Sequence, residues 1–365
     1  MDIAIFMSTP AQVHFYRNIA NGLLKGDNNV HILARDYGET LEILDEVGME
    51  YHVFSRPPTG AKRILTLPFD IVRAVKWLRN KRGVDLITGF EIYGAYTSSL
   101  LRSPYVQFYD SEPNIHKLLS LQFKVMMPFT DVLLTPESFR TELGDKHLRV
   151  ASYKELAYLH PHYYTPQDDV LDIMGLSKND EYVLLRFNAF DAAHDEGVAG
   201  FTSENKVRLV RELEKHVHVF ISAEGKVPRE LEKNLLPVPK SRIHDVIYHA
   251  KLLVTDTQTM ATEAALLGTP VIRSNKFVGP NDMGNFIELE ERFGLMFNIR
   301  NPREAIQKAI ELVQTEGLKK EWAKRRKRLL EEKIDITSFM VWFLENYPQS
   351  LEEFRENPDI QYRFR

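Results

Sequence analysis

Residues 252–273, LLVTDTQTMATEAALLGTPVIR, hold a complete strand–helix–strand pattern. The apolar run 252–255 is predicted to be a buried strand, residues 260–267 a helix, and residues 270–273 the next strand. Two apolar strands joined by a helix are typical of a parallel sheet covered by crossover helices. The stretch therefore predicts an α/β domain, with the polar residues 256–259 at the carboxyl edge of its sheet.

The same alternation runs through most of the chain and predicts its domains. In the N-terminal half we predict strands at 2–7, 29–34, 51–54, 86–88, 105–109 and 132–134, and helices at 14–24, 37–47, 67–81, 95–101 and 116–126. A second series starts after the aromatic, proline-bearing stretch 160–166, with strands at 182–187, 217–222, 252–255, 270–273 and 295–298. Such alternation predicts two doubly wound domains, residues 1–163 and 164–333, with a helical extension, 334–365, that packs back on the first.

Composition excludes several classes of protein. The 365 residues are 44% hydrophobic and 27% charged with a net charge of −4, which is ordinary for a globular protein and gives no reason to expect a nucleic-acid partner. The chain has no cysteine, which excludes disulfides and thiolate chemistry. The apolar stretch 118–134 is broken by Lys124, Pro128 and Asp131, so it is a poor spanning helix. We expect a cytoplasmic protein.

The loop after the strand 252–255 is the strongest candidate ligand site. Thr257, Gln258 and Thr259 open a helix, whose first backbone N–H groups can bind a phosphate. Glu263 lies one turn further on, where a carboxylate can accept hydrogen bonds from two vicinal ribose hydroxyls. The alternative is that the threonines cap the helix and Glu263 is solvated.

This loop, Glu263 and the following Gly268-Thr269-Pro270 resemble the donor-nucleotide motif of GT-B glycosyltransferases. The spacing is similar to that of the peptidoglycan lipid N-acetylglucosamine transferase and of the non-hydrolysing UDP-N-acetylglucosamine 2-epimerases. From Ser8 to about Leu312 the chain resembles the largely archaeal domain of unknown function 354 family of predicted glycosyltransferases. The resemblance implies a GT-B fold of two Rossmann-like domains facing a central cleft, a UDP-sugar as substrate, no cofactor, and a ribose contact for Glu263.

Two loops of the N-terminal half offer candidate catalytic residues. His14 follows the first strand, near the place where the transferase has a glycine-rich loop ending in histidine, and a histidine there can take a proton from an acceptor hydroxyl. Asp110 and Glu112 follow the strand 105–109, in a region where the epimerases place a catalytic acid. Being two residues apart, they are expected to face one cleft. The alternatives are a surface histidine and an acidic turn.

The C-terminal half offers further candidates at strand ends. Arg186 and Asn188 would face the donor diphosphate, and His194 would act from the loop that follows. Glu224 and Gly225 follow the predicted strand 217–222. His244 lies at the start of a predicted helix, where it either contacts the nucleotide or caps the helix. No ligand spacing is diagnostic of a metal, so we predict none.

Basic residues accumulate between Lys62 and Arg82, where apolar positions repeat at helical spacing. Such a helix packs into a core with a solvated basic face, or it contacts an anionic bilayer and a lipid-linked acceptor. Three functions stay open: a metal-independent glycosyltransferase, a UDP-N-acetylglucosamine 2-epimerase-like enzyme, and a nucleotide-sugar binding protein without turnover. Epimer formation from UDP-N-acetylglucosamine alone would separate the second from the first.

Overall fold

The computed structural model describes residues 1–56, 63–81, 83–113, 117–187, 201–223 and 225–365. The chain divides into two compact units. Unit 1 comprises Met1–Tyr163 and Glu332–Arg365, and unit 2 comprises Tyr164–Glu331. The chain therefore passes from one unit to the other twice.

Unit 1 is built on a seven-stranded sheet in the order β3-β2-β1-β4-β5-β6-β7, with every neighbouring pair parallel. Its elements are β1 (Asp2–Met7), α1 (Pro10–Lys25), β2 (Asn29–Arg35), α2 (Thr40–Glu46), β3 (His52–Ser55), α3 (Arg63–Arg79), β4 (Leu86–Gly89), α4 (Ile92–Leu101), β5 (Tyr105–Phe108), α5 (Lys117–Met126), β6 (Val132–Pro136), β7 (His147–Val150) and α6 (Leu156–Leu159).

Unit 2 is built on a five-stranded parallel sheet in the order β12-β11-β10-β8-β9. Its elements are α7 (Asp169–Ile173), β8 (Tyr182–Phe187), α8 (Ser203–Leu213), β9 (His218–Ala223), α9 (Ile243–His249), β10 (Leu252–Thr255), α10 (Thr259–Leu267), β11 (Val271–Arg273), α11 (Gly284–Ile287), β12 (Met296–Asn298), α12 (Pro302–Gln314) and α13 (Leu318–Glu332).

The central strands of both sheets are buried along nearly their whole length because helices cover both of their faces. Residues 252–255 of β10 are buried, and so are residues 3–6 of β1. Burying each Leu, Ile or Val side chain of this kind contributes about 1.5–3 kcal/mol. The strands therefore form the rigid centre from which the polar loops project.

The C-terminal segment of unit 1 contains α14 (Ile336–Glu345), α15 (Gln349–Glu356) and a 3-10 helix, Pro358–Phe364. Helix α14 packs on α1, closely enough that a Cβ at Gly22 would lie 2.5 Å from Val341 Cγ2. The backbone joins as well, since Ile334 N–H donates to Ala151 O at 2.9 Å. The segment is thus an integral part of the core of unit 1.

Helix α1 and strand β7 are two of the places where the structure differs from the sequence-based expectation. Helix α1 begins at Pro10, four residues before the predicted start, because the fixed φ of proline suits the first helical position and Thr9 is extended before it. His14 is therefore inside a helix rather than in a loop. Strand β7 was missed because only two of its four residues, Leu148 and Val150, are apolar.

Among the described residues, no helix is long and apolar enough to cross a membrane.

Candidate functional site

In unit 2 the strand order reverses between β8 and β10. We call this reversal the switch point, and the space beyond the carboxyl ends of these two strands the crevice. From β8 the chain moves outward to β9, then returns to the other side of β8 to form β10, so the connections leave these two strands on opposite sides. Open α/β sheets bind ligands at such a reversal of strand order. The loop that follows β10 starts there, with Asp256 N–H donating to Arg186 O at 3.3 Å.

Polar residues occupy the same level of all five strands of this sheet. The paired positions, read across the sheet, are Ser222, Arg186, Thr255, Arg273 and Asn298. Paired residues of parallel strands place their side chains on one face. Two contacts follow this row: Arg186 donates to Ser222 Oγ at 3.1 Å, and Arg273 Nε donates to Asn298 Oδ1 at 2.8 Å. The carboxyl edge is therefore polar above an apolar sheet.

The loop between β10 and α10 is held by its own threonines. Thr255 Oγ1 accepts from Thr257 N–H at 2.9 Å and lies 2.8 Å from Thr257 Oγ1. Gln258 precedes the helix, and its side chain makes no capping hydrogen bond within the described chain. The first helical bond is donated by Thr262 to Gln258 O. The N–H groups of residues 259–261 thus precede the helical ladder, as in an anion site at a helix start.

Glu263 is buried, with its side chain 8% exposed, and its Oε1 lies 3.1 Å from His244 Nε2. His244 comes from α9, so two helices meet at this pair. The alternative of a solvated glutamate is excluded by this burial. A buried carboxylate in the second turn of α10 is pre-oriented for hydrogen bonding, since its rotamer is fixed by its neighbour. The pair brings together two of the residues singled out in the sequence.

Lys206 of α8 adds a positive charge that the sequence pattern did not reveal. Its Nζ lies 3.7 Å from Asp256 Oδ2, and its side chain is 4% exposed. The ammonium also lies 5.2 Å from the centre of the Phe187 ring. From the sequence alone, a lysine on a helix is expected to be exposed to solvent. Only the packing of α8 against the sheet places Lys206 beside the loop after β10.

Arg273 and Asp282 form a fully buried ion pair at the end of β11. Burial lowers the pKa of the Arg273 guanidinium, and Asp282 opposes that effect. Burial likewise raises the pKa of the Asp282 carboxyl, against the opposing effect of Arg273. The guanidinium also stands 3.5 Å from the Phe286 ring centre. This pair fixes the loop 274–283 against the sheet, including Asn275, whose amide donates to Asp256 O at 3.1 Å.

Unit 1 has its own reversal of strand order between β1 and β4. Gln12 joins the two strand ends: its Oε1 accepts from Ser8 N–H at 2.7 Å, and its Nε2 donates to Glu91 Oε1 at 3.2 Å. The buried Ser8 hydroxyl has no hydrogen-bond partner in the part of the chain described. Buried polar atoms are nearly always satisfied in a working protein, which makes this strand end a candidate contact for a ligand.

His14 and Asp110 both lie against the segment before and within α6. The His14 ring centre is 5.2 Å from that of Tyr158, and Asp110 Oδ2 accepts from Lys154 Nζ at 2.5 Å. Glu112 has other partners, accepting from Arg140 N–H and from Thr141 Oγ1, each at 2.9 Å. Glu112 is thus tied to the turn at 140–141, and Asp110 to Lys154.

Three of the candidates, Asn188, His194 and Glu224, lie outside the described residues. Gly225 is exposed, and a Cβ built there meets no atom of the described residues within 4 Å. The described part of the chain therefore does not require a glycine at this position.

Comparison with known proteins identifies the fold. No protein-family model matches the chain, and no curated protein matches it. Among solved structures, the UDP complex of MnaA from S. aureus superimposes with a TM-score of 0.67 at 11% identity, over 98% of this chain and 97% of that one. The UDP-GlcNAc 2-epimerase of Methanocaldococcus jannaschii gives 0.63 at 14% identity, over 87% and 94%. The spinosyn rhamnosyltransferase SpnG, bound to spinosyn aglycone, gives 0.60 at 12%, over 95% and 100%.

These similarities and the two parallel sheets show the GT-B fold, with two Rossmann-like α/β domains. The predicted fold class is confirmed. Membership of the domain of unknown function 354 family and an archaeal source stay predictions.

Proposed function

We propose that this protein is a glycosyltransferase that binds a nucleotide sugar, UDP-linked, through unit 2 and transfers the sugar to an acceptor hydroxyl without a metal ion. The observation that carries the proposal is the buried Glu263, held by His244 in the second turn of the helix that starts at the switch point. Solved structures of the same fold include complexes with UDP and with thymidine diphosphate, which supports a nucleoside diphosphate as the ligand class.

In this proposal each polar group of the crevice has a part of the nucleotide to bind. The Glu263 carboxylate accepts hydrogen bonds from the two ribose hydroxyls. The N–H groups of residues 259–261 and the Thr257 hydroxyl bind the diphosphate, where the helix start favours negative charge. Arg186 and Lys206 supply the cations that a metal-independent reaction needs to neutralise a departing diphosphate.

The transfer replaces one bond to the anomeric carbon by another and moves one proton. The acceptor oxygen bonds to the anomeric carbon as the bond from that carbon to the diphosphate oxygen breaks, and the electron pair leaves with the diphosphate. A general base takes the acceptor proton; His14 and Asp110 are the candidates, because imidazole and carboxylate are suited to this task. Fixed donors at the diphosphate lower the barrier, since they need no rearrangement as charge develops.

A second candidate is epimerisation at C2 of UDP-N-acetylglucosamine, favoured by the UDP-GlcNAc 2-epimerases among the similar structures. That reaction needs an acid and a base at the sugar instead of an acceptor. Asp110 with its Lys154 partner, Glu112 and His194 are the residues available for it. Binding without turnover is the third alternative.

One experiment separates the three functions. The purified protein is incubated with UDP-N-acetylglucosamine, with and without a panel of acceptors including lipid-linked saccharides, and the products are resolved by chromatography. We expect UDP release that depends on acceptor. Formation of the manno epimer without acceptor would replace transfer by epimerisation, and binding with neither product would leave a binding protein. Absence of binding to any nucleotide sugar would overturn the proposal.

The proposed acceptor lies at an anionic membrane surface, which the protein contacts through helices α3 to α5. Helices α3 to α5 expose large apolar side chains that the packing leaves in solvent, Phe69, Leu100 and Leu121 at 73%, 52% and 59% exposure. Apolar residues on the other side of α3, such as Ile71 and Leu78, are buried in the core. Exposed apolar groups beside Lys76, Arg79 and Lys124 suit a bilayer with anionic headgroups, where a lipid-linked acceptor would reside.

Vesicle binding tests this surface. Sedimentation with vesicles containing phosphatidylglycerol should retain the parent protein, and Phe69→Ser with Leu121→Ser should release it. Leu24→Ser is the control, because Leu24 is also an exposed leucine, at 52% against 59% for Leu121, but lies on α1. Equal binding of all three proteins would contradict a membrane role for α3 to α5 and would leave the nucleotide site untouched.

A further inference from the structure

Two histidines and an aspartate meet beside the places where the chain leaves unit 1 and returns to it. His160 and His162 precede the exit after Tyr163, and Asp335 follows the return at Glu332. One ligand-capable atom from each of the three lies within 4.8 Å of the other two. His162 Nδ1 is 3.0 Å from Asp335 Oδ2, and the His160 and His162 ring centres are 4.3 Å apart.

We propose that His160, His162 and Asp335 bind a divalent transition-metal ion, with Zn²⁺ as the best fit. Imidazole nitrogen with carboxylate oxygen is a donor set suited to zinc, and three protein ligands leave a fourth position for water. Tetrahedral zinc with bonds of about 2.0–2.1 Å requires ligand atoms roughly 3.4 Å apart. A bound ion would take the place of the His162–Asp335 hydrogen bond, and the His162 side chain, 61% exposed, has room at the surface for the rotation that this needs.

Hydrogen bonds hold the Asp335 carboxylate in a fixed orientation. Asp335 is 3% exposed, and its Oδ2 accepts from Tyr163 OH at 2.7 Å and from Ser338 Oγ at 2.8 Å. Its Oδ1 accepts from Ser338 N–H at 3.1 Å, at the start of α14. Hydrogen bonds of this kind hold a ligating carboxylate in orientation and raise metal affinity. The backbone N–H of His162 donates to His160 Nδ1 at 3.3 Å, which orders the second imidazole.

The site is independent of the nucleotide site, whose residues belong to unit 2. A bound ion would join the segment 160–162 to residue 335, which lie far apart in the chain and border the two passages between units. Its expected role is to stabilise unit 1 at this junction. The proposed sugar transfer uses no ion at this place, so either proposal can be refuted without affecting the other.

Metal titration of the purified protein, with any affinity tag removed and chelator dialysed away, tests the site. Calorimetry with Zn²⁺ should show one ion per chain, and Co²⁺ should give the visible absorption of a tetrahedral complex. His160→Ala and His162→Ala should each weaken Zn²⁺ binding at least about tenfold. His162 is exposed and His160 is partly exposed, so these variants should keep the fold even where Asp335→Asn loses it through the start of α14.

The matched control is the double variant His216→Ala/His218→Ala. These residues form another pair two positions apart, both exposed, and belong to no three-residue ligating group within the described chain. The control should bind Zn²⁺ like the parent, and Zn²⁺ should raise the Tm of the control and parent but not of His162→Ala. No stoichiometric binding, or equal binding by parent and His160→Ala or His162→Ala, would show that the three residues form only a hydrogen-bonded cluster.

Discussion

The ribose contact of Glu263 can be tested by changing one atom of its carboxylate. Glu263→Gln keeps the shape of the side chain and an oxygen that accepts from His244, so the pair at 3.1 Å survives. It removes the charge and one acceptor. A hydrogen bond to a charged group contributes about 1.5–3 kcal/mol, and roughly 1.4 kcal/mol corresponds to a tenfold change in Kd. Losing one of two such bonds should weaken UDP binding by about tenfold to a hundredfold.

Calorimetry with two ligands makes the test specific. The parent and Glu263→Gln are titrated with UDP and with 2′,3′-dideoxy-UDP, which lacks both ribose hydroxyls. The substitution should weaken UDP binding but leave the dideoxy ligand nearly unaffected, because no hydroxyl remains to be bound. Glu230→Gln, an exposed glutamate of unit 2, is the control and should bind UDP like the parent. Equal losses for both ligands would refute the ribose contact.

Three further predictions concern stability. Asp282→Asn leaves the buried Arg273 guanidinium without its counter-charge and should lower the free energy of unfolding by about 3–5 kcal/mol in urea titrations; a loss below 1 kcal/mol would contradict a structural ion pair. Gly22→Ala pushes a methyl group against Val341 and should cost roughly 1–3 kcal/mol by the same assay, with partial recovery in the double variant carrying Val341→Ala. Burial holds the pKa of His147 below its usual value, so the unfolded chain binds more protons than the folded one and the free energy of unfolding should fall as the pH drops below about 6.5. His147→Gln should flatten that decline, and an unchanged pH profile of stability in this variant would contradict the role of His147.

The sequence predicted those parts of the fold that depend on local pattern. Strand β10, its polar loop and α10 were found because apolar runs, hydroxyl residues and helix formers follow one another along the chain. Strand β7 was not found, since an edge strand needs only alternate apolar residues and His147 and Arg149 occupy the others. The sequence pattern predicts the start of α1 four residues late, because Pro10, at the first helical position, fits a loop equally well.

The candidate site could be predicted only where its residues are close in sequence. Glu263 was identified, but its bond to His244, from the preceding helix, depends on how α9 and α10 pack. Lys206 gave no signal, because a lysine on an amphipathic helix looks solvated until the helix is docked on the sheet. Lys154 and Thr141, which bind Asp110 and Glu112, likewise come to them only through the tertiary structure.

The discontinuity of unit 1 has a consequence for biosynthesis. Residues 332–365 supply buried aromatic side chains, including Phe339 and Phe343, to a core whose other members are translated first. While the ribosome is still making unit 2, the face of α1 around Gly22 has no α14 to cover it. Unit 2, by contrast, is one uninterrupted stretch and can complete its own sheet during translation. The N-terminal half is therefore the part of this polypeptide whose core stays incomplete until synthesis finishes.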